Sequence, residues 1–216
     1  MLFGLQTQLC VQAASSSSAQ TLYGQALKRK RAGQCDLALP GFEQAIAIAR
    51  AAQDVSLILR ILRHRGECYQ YQGNYPLAWL DFAYGRLQTP EEARFYEALG
   101  WLSIFEGHYA LARQQLEQAQ RLVPDNLWVR LNLGWTYYLQ GQQTEAFAVW
   151  LPFKILKHGM YRQALRREVE QLQALPTVRQ GRPDFDPLLR WLDEPVREGV
   201  PESTGAMSES THHEFR

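Results

Sequence analysis

A repeat constrains this chain more than any other feature of its sequence. The stretch "GNYPLAWLDFAYGRLQTP", residues 73–90, returns as "GHYALARQQLEQAQRLVP", residues 107–124, with a Gly, Tyr, Ala and closing Pro framework kept. A shift of 34 residues superposes Gly66, Tyr69, Gly73, Ala78 and Pro90 on Gly100, Ser103, Gly107, Ala112 and Pro124, and a further shift reaches Gly134, Tyr137, Gly141 and Ala146. An earlier copy, 40 residues upstream, keeps Ala26, Gly33, Ala38, Phe42 and Ala45. A fixed period in this range marks a stack of identical supersecondary units.

The kept residues have a packing sense. Small residues at Gly66, Gly100 and Gly134, and at Ala38, Ala78, Ala112 and Ala146, let two helix backbones approach closely. Phe42, Phe82, Leu116 and Trp150 then fill the space beside them. On these residues the chain resembles the tetratricopeptide repeat family over about residues 19–160. The resemblance implies an all-α, right-handed α-α superhelix of about four helix hairpins, at about 19–52, 59–92, 93–126 and 127–160, and a concave face that holds another protein. The 40-residue first interval is read as a lengthening of the first B helix and the second A helix by a turn or less, since the pattern is periodic from Asp54 onward.

Capping residues mark the boundaries. Thr89, Pro90, Glu91 and Glu92 read as an N-cap, a first-turn proline and two acids at the positive end of a helix. Asp125 or Asn126 can cap the next A helix, and Thr144 with Glu145 the last B helix. Pro152 predicts a kink or an early stop. Beyond Gly159, the spacing of Tyr161, Leu165, Val169, Leu172 and Leu175 predicts a capping helix over 161–176. A linker and short helix follow over 177–194, and 195–216 reads as a disordered tail. Residues 1–18 read as a flexible leader or the remnant of a signal segment, because "MLFGLQTQLCVQA" lacks a basic start and is diluted by glutamine. A cytoplasmic protein is expected, with the periplasm or another exported location as the alternative if the true start lies upstream.

A net charge of +1 sets up no strong long-range field, so composition favours neither nucleic acid nor an anionic surface. No run reaches the roughly 18 to 20 apolar residues of a membrane span. Cys10, Cys35 and Cys68 form no CxxC pair and read as free thiols rather than as a disulfide framework or zinc site. There is no phosphate loop, HExxH or nucleophile elbow, so no catalytic residue, metal ligand or cofactor is assigned. His64, His108 and His158 read as packing or surface residues, and Lys28 to Arg31 as a solvated helix end that complements the helix dipole.

The inner faces of the A helices carry the functional expectation. Sampled at intervals of three and four, they give Arg60 and Arg63 in the second hairpin, Arg94, Trp101 and Phe105 in the third, and Trp128, Trp135 and Tyr138 in the fourth. The face is basic toward its N-terminal end and aromatic toward its C-terminal end. These eight residues are the candidate partner-binding set, for a protein or peptide with an acidic and an apolar part. The chain's own Phe185, Leu188 and Trp191 are an alternative occupant of the aromatic end. The expected function is a non-enzymatic scaffold, adaptor or assembly factor. An RNA-binding helical-repeat protein is the alternative, disfavoured by Glu67 and Glu97 among the inner-face arginines.

Overall fold

The computed structural model describes residues 2–155, 160–181 and 183–194, and among these every regular element is a helix. Contacts divide the chain into two compact units, the first running to Pro90 and the second starting at Glu91. The first unit holds α1 (Leu2–Arg31), α2 (Cys35–Ala51), α3 (Val55–Tyr71) and α4 (Tyr75–Gln88). Each helix packs on its neighbour in sequence, and α1 also lies against α3. The second unit holds α5 (Ala93–Phe105), α6 (Tyr109–Leu122), α7 (Leu127–Leu139), α8 (Gln143–Ile155), α9 (Met160–Ala174), α10 (Pro176–Gly181) and α11 (Asp186–Asp193). Here α5 to α8 repeat the same pattern, with α5 against α7. Each unit is thus a stack of helix hairpins, in the solenoid manner that the period predicts.

The framework residues meet where the repeat places them. A Cβ built on Gly66 would stand 2.5 Å from the Phe82 ring, one on Gly100 2.6 Å from Leu116, and one on Gly134 2.2 Å from Trp150. Each pair is an A-helix glycine and a B-helix side chain 16 positions later. The small residue is therefore required because the partner's side chain occupies its Cβ volume.

The turns inside the hairpins share one closure. Gly33, Gly73, Gly107 and Gly141 all take φ between 74° and 81°. At each, the glycine N–H and the next N–H return to carbonyls of the last helical turn, as in Gly107 to Ile104 at 3.1 Å and His108 to Ser103 at 2.8 Å. This is the Schellman arrangement, and its left-handed residue is favoured as glycine. Gln53 makes the same closure between α2 and α3 with φ 57°, without glycine's freedom.

Several boundaries differ from the sequence reading. α1 starts at Leu2, so helix runs through the stretch read as a leader; no proline interrupts residues 1–31. α2 and α3 span 17 residues each against 13 or 14 in α4 to α7, as the longer first interval requires. α3 begins at Val55, earlier than the boundary at 59, because the Asp54 carboxylate accepts the Leu57 N–H at 3.0 Å and starts the helix there. Asn126 caps α7 through the N–H groups of Trp128 and Val129. Thr89 does not open α5: its hydroxyl donates to the Gly85 carbonyl and closes α4, and α5 starts only at Ala93. α8 continues through Pro152 to Ile155. α9 buries Leu165, Val169 and Leu172 in the cluster that also holds Leu131 and Trp135 of α7 and Trp150 of α8. Residues 195–216, read as a tail, and His158 lie outside the described residues.

The thiols are not all free. Cys35, at the start of α2, and Cys68, in the last turn of α3, form a disulfide with a Cα–Cα distance of 5.2 Å. Their separation of 33 residues carries no local motif. It is hairpin stacking that returns the end of α3 to the start of α2, where Gln72 also donates to Asp36.

Candidate partner-binding surface

The basic candidates of the first unit lie on α3, which faces α1. Arg60 is exposed and places its guanidinium 5.1 Å from the centre of the Tyr23 ring, a cation–π geometry. Arg63, one turn on, is buried. It donates to Glu67 at 3.0 Å and to His64 Nε2 at 2.9 Å. The Nε2 atom therefore accepts, and the proton sits on Nδ1, which donates to the other Glu67 oxygen at 3.0 Å. Lys30 of α1 reaches the same carboxylate, and Tyr23 stacks on the His64 ring at 5.8 Å.

Charge and burial set the protonation of this cluster. Burial lowers the His64 pKa, and Arg63 and Lys30 add to that against the pull of Glu67, so the ring is neutral near pH 7. Burial alone would raise Glu67. The His64 hydrogen bond and the charges of Lys30 and Arg63 outweigh it and hold the carboxyl at about 2. Behind the cluster, Arg65 grips Asp81 of α4 through two hydrogen bonds of 2.9 and 2.7 Å, which raises the guanidinium pKa further. Glu67 thus supplies the acidic partner of Arg63 from within the same helix.

The aromatic candidates belong to the second unit. On α5, Trp101 and Phe105 are half-buried and meet edge to face at 5.1 Å, and Arg94 is exposed beside Glu92 at 3.5 Å. Trp128, at the start of α7, is also half-buried, and both tryptophans pack against the core that includes Leu131 and Leu133. Trp135 and Tyr138, further along α7, are buried. The indole N–H of Trp135 donates to Glu168 of α9. Tyr138 donates its hydroxyl to the Asp184 carbonyl and stacks on Phe185 at 5.8 Å. Trp191 stacks on Phe147 of α8 at 5.1 Å, and Leu188 is fully buried in the same cluster.

Two groups here titrate outside their ordinary ranges. Burial raises the Glu168 carboxyl to about 7, despite the opposing Trp135 hydrogen bond and the Arg167 charge. Burial, with the Asp184 and Asp186 charges adding to it, pushes the Tyr138 phenol up to about 12, so it remains a neutral donor.

The eight candidates therefore fall into three states. Arg60 and Arg94 are exposed, Trp101, Phe105 and Trp128 keep part of each ring at the surface, and Arg63, Trp135 and Tyr138 are buried and bonded within the chain. Helical spacing misses His64 as a member of the first cluster, and Glu168 as the partner of Trp135. Only the intervals within α3 carry a signal, since Arg63, His64 and Glu67 are three and four apart. Among the described residues, no group of His, Cys, Asp and Glu is placed to hold a metal ion, and no helix is long and apolar enough to cross a membrane.

No family model matches the chain, and no curated protein matches it. Among solved structures it is similar to a mutant of MamA, with 19% identity, 76% of this chain and 96% of that chain covered, and a TM-score of 0.47. At that score the likeness bears on neither family nor function.

Proposed function

We propose that the chain is a non-catalytic protein-binding scaffold whose partner peptide lies on α5 and the start of α7, against Trp101, Phe105 and Trp128. The observation that carries this reading is the edge-to-face pair of Trp101 and Phe105, half-buried on one A helix. Large rings held rigidly with part of their surface accessible are the side chains that most often anchor a protein partner. Arg94 supplies a charge for an acidic stretch of the partner beside these rings, and Arg60, exposed in the first unit, offers a separate basic contact. Arg63 has a structural role instead, locked to Glu67 and His64. Trp135 and Tyr138 hold the chain's own segment with Phe185, Leu188 and Trp191, which occupies the aromatic end in place of a partner.

A library of random peptides displayed against the full chain tests the proposal. Enriched peptides should combine acidic and aromatic residues. Trp101→Ala should weaken their binding at least tenfold, while Arg94→Glu and Arg60→Glu should mainly slow association and flatten its salt dependence. Removing residues 184–194 should widen the enriched set toward peptides that need Trp135. The reading fails if nothing is enriched, or if enriched peptides are indifferent to all three substitutions. RNA binding, the other reading, predicts affinity for a mixed RNA pool that falls steeply with salt. Glu67, seated among Lys30, Arg63 and His64, weighs against it.

A further inference from the structure

The last helix of the first unit, α4, turns Ala78, Asp81, Phe82 and Gly85 inward. On its other side Leu77, Leu80, Tyr84 and Leu87 are 38, 63, 46 and 75% exposed. Their spacing, three then four then three, is that of a coiled-coil seam, which fits a second helix laid along it rather than an extended peptide.

The repeat itself supplies a control. Thirty-four residues on, the same four positions of α6 hold Leu111, Gln114, Gln118 and Arg121. A further 34 residues on, the first three of these positions in α8 hold Glu145, Ala148 and Pro152. The hairpin fold therefore does not need apolar side chains there. Four in a row on α4 serve something outside the hairpin.

We propose that α4 is a self-association surface on which two copies of this chain pair in antiparallel fashion. The three-four-three spacing reads the same in both directions about residue 82. A two-fold axis there sets Leu77 against Leu87 and Leu80 against Tyr84 without adjustment, as an isologous interface requires. Charge agrees with this choice. Asp81 is already committed to Arg65, which leaves Arg86 as the charge near the seam. In the antiparallel pair the two Arg86 residues lie on opposite sides of the axis, about 12 Å apart along it at 1.5 Å per residue, beyond the screening length at physiological salt. A parallel pair would set them side by side.

The stripe is about 15 Å long and exposes roughly half of the ~800 Å² per partner of a standard interface. The dimer is therefore weak and concentration-dependent, with a dissociation constant on the order of 100 μM.

Sedimentation equilibrium of the full chain, in a Cys10→Ser background that excludes intermolecular disulfides, tests this between about 5 and 500 μM. The average mass should rise from 24.9 kDa toward twice that value. The double variant Leu80→Glu with Leu87→Glu should stay at the monomer mass, at least tenfold weaker in association, with its helical signal and unfolding midpoint unchanged because both side chains are exposed. Leu77→Glu and Leu87→Lys should each be monomeric alone and associate when mixed, since the axis sets 77 against 87. A wild-type chain that stays monomeric throughout overturns the proposal and leaves the stripe to a helix of another protein. Undiminished dimerisation of the double variant, or a mixture that fails to associate, overturns it as well.

Discussion

Adding one methyl group at a helix glycine should have opposite effects at two positions, and the structure gives both magnitudes. Gly24 lies on the exposed side of α1, and a Cβ there would meet nothing within 4 Å. Gly24→Ala should therefore show only the gain from removing an interior helix glycine, about 0.5–1 kcal/mol. At Gly134 the same gain is opposed by the Trp150 ring, whose Nε1 and Cε2 would stand 2.2 and 2.4 Å from the new carbon. Trp150 has no easy retreat. It is fully buried, its N–H donates to the Leu131 carbonyl at 3.0 Å, and its ring meets Trp135 at 4.8 Å. Restoring van der Waals separation needs a shift of roughly 1 Å, enough to weaken that hydrogen bond inside the core. Overpacking costs about 1–3 kcal/mol, and an indole N–H left without its acceptor about 1–3 more. After subtracting the helix gain, Gly134→Ala should lose about 1–5 kcal/mol.

Urea unfolding followed by two signals separates the units. Trp79 is the tryptophan of the first unit, while Trp101, Trp128, Trp135, Trp150 and Trp191 lie in the second. Fluorescence therefore reports mainly on the second unit and circular dichroism on both. Gly134→Ala should lower the fluorescence midpoint strongly, with the native helical signal kept. Gly24→Ala should raise the midpoint of the first unit seen by circular dichroism. Gly100→Ala should fall between them, because Leu116 can rotate away but the Ala112 carbonyl, 3.3 Å from the new carbon, cannot. An unchanged or raised midpoint for Gly134→Ala would refute the assignment of Trp150 as a fixed wall.

Other outcomes follow from the same contacts. Denatured without reductant, the protein should show one reactive thiol, and three after reduction; reduction should cost about 3–4 kcal/mol on a loop-entropy account of the Cys35–Cys68 link. Gln53→Gly should raise the unfolding midpoint by an amount equivalent to about 0.5–1 kcal/mol, because it relieves a left-handed residue at φ 57°. The Glu168 carboxyl is raised in the folded state to about 7 from an ordinary value of 4.5. Its folded form thus holds a proton that the unfolded form has lost, and stability should fall as pH rises between those values. Comparing urea midpoints at pH 5 and 8 checks this, since Glu168→Gln should remove that part of the decline.

Legibility followed the range of the interaction. The framework glycines, the turn glycines and the 16-residue pairing of Gly66 with Phe82 all lie within one hairpin, so a one-dimensional period records them. Asn126 as a cap is more local still. What the period cannot record is contact between different hairpins or with the C-terminal segment. The Cys35–Cys68 link joins two hairpins, and the bond from Trp135 to Glu168 crosses 33 residues to a helix outside the repeat. The inner-face spacing grouped residues of α3, α5 and α7 by helix face but gave no account of what lies against them. The caps that misled, Thr89 to Glu92, did so for a local reason: a threonine that returns to the carbonyl four residues back ends a helix as readily as it starts one.

One repeat position shows how far the framework leaves function open. Glu67, Trp101 and Trp135 each follow a framework glycine, at Gly66, Gly100 and Gly134, and so occupy the same slot in successive A helices. The backbone treats them alike, yet their surroundings do not. Glu67 lies among Lys30, Arg63 and His64, where a neutral residue would leave buried positive charge without its counter-ion. Trp135 is buried under α9 and the segment at Phe185, where a carboxylate in its place would face Glu168. Trp101 alone of the three keeps a ring partly at the surface. Among these three slots charge surrounds the one in the first unit, and α9 with the segment at Phe185 covers Trp135, so in the proposed scaffold reading the anchor for a partner is Trp101.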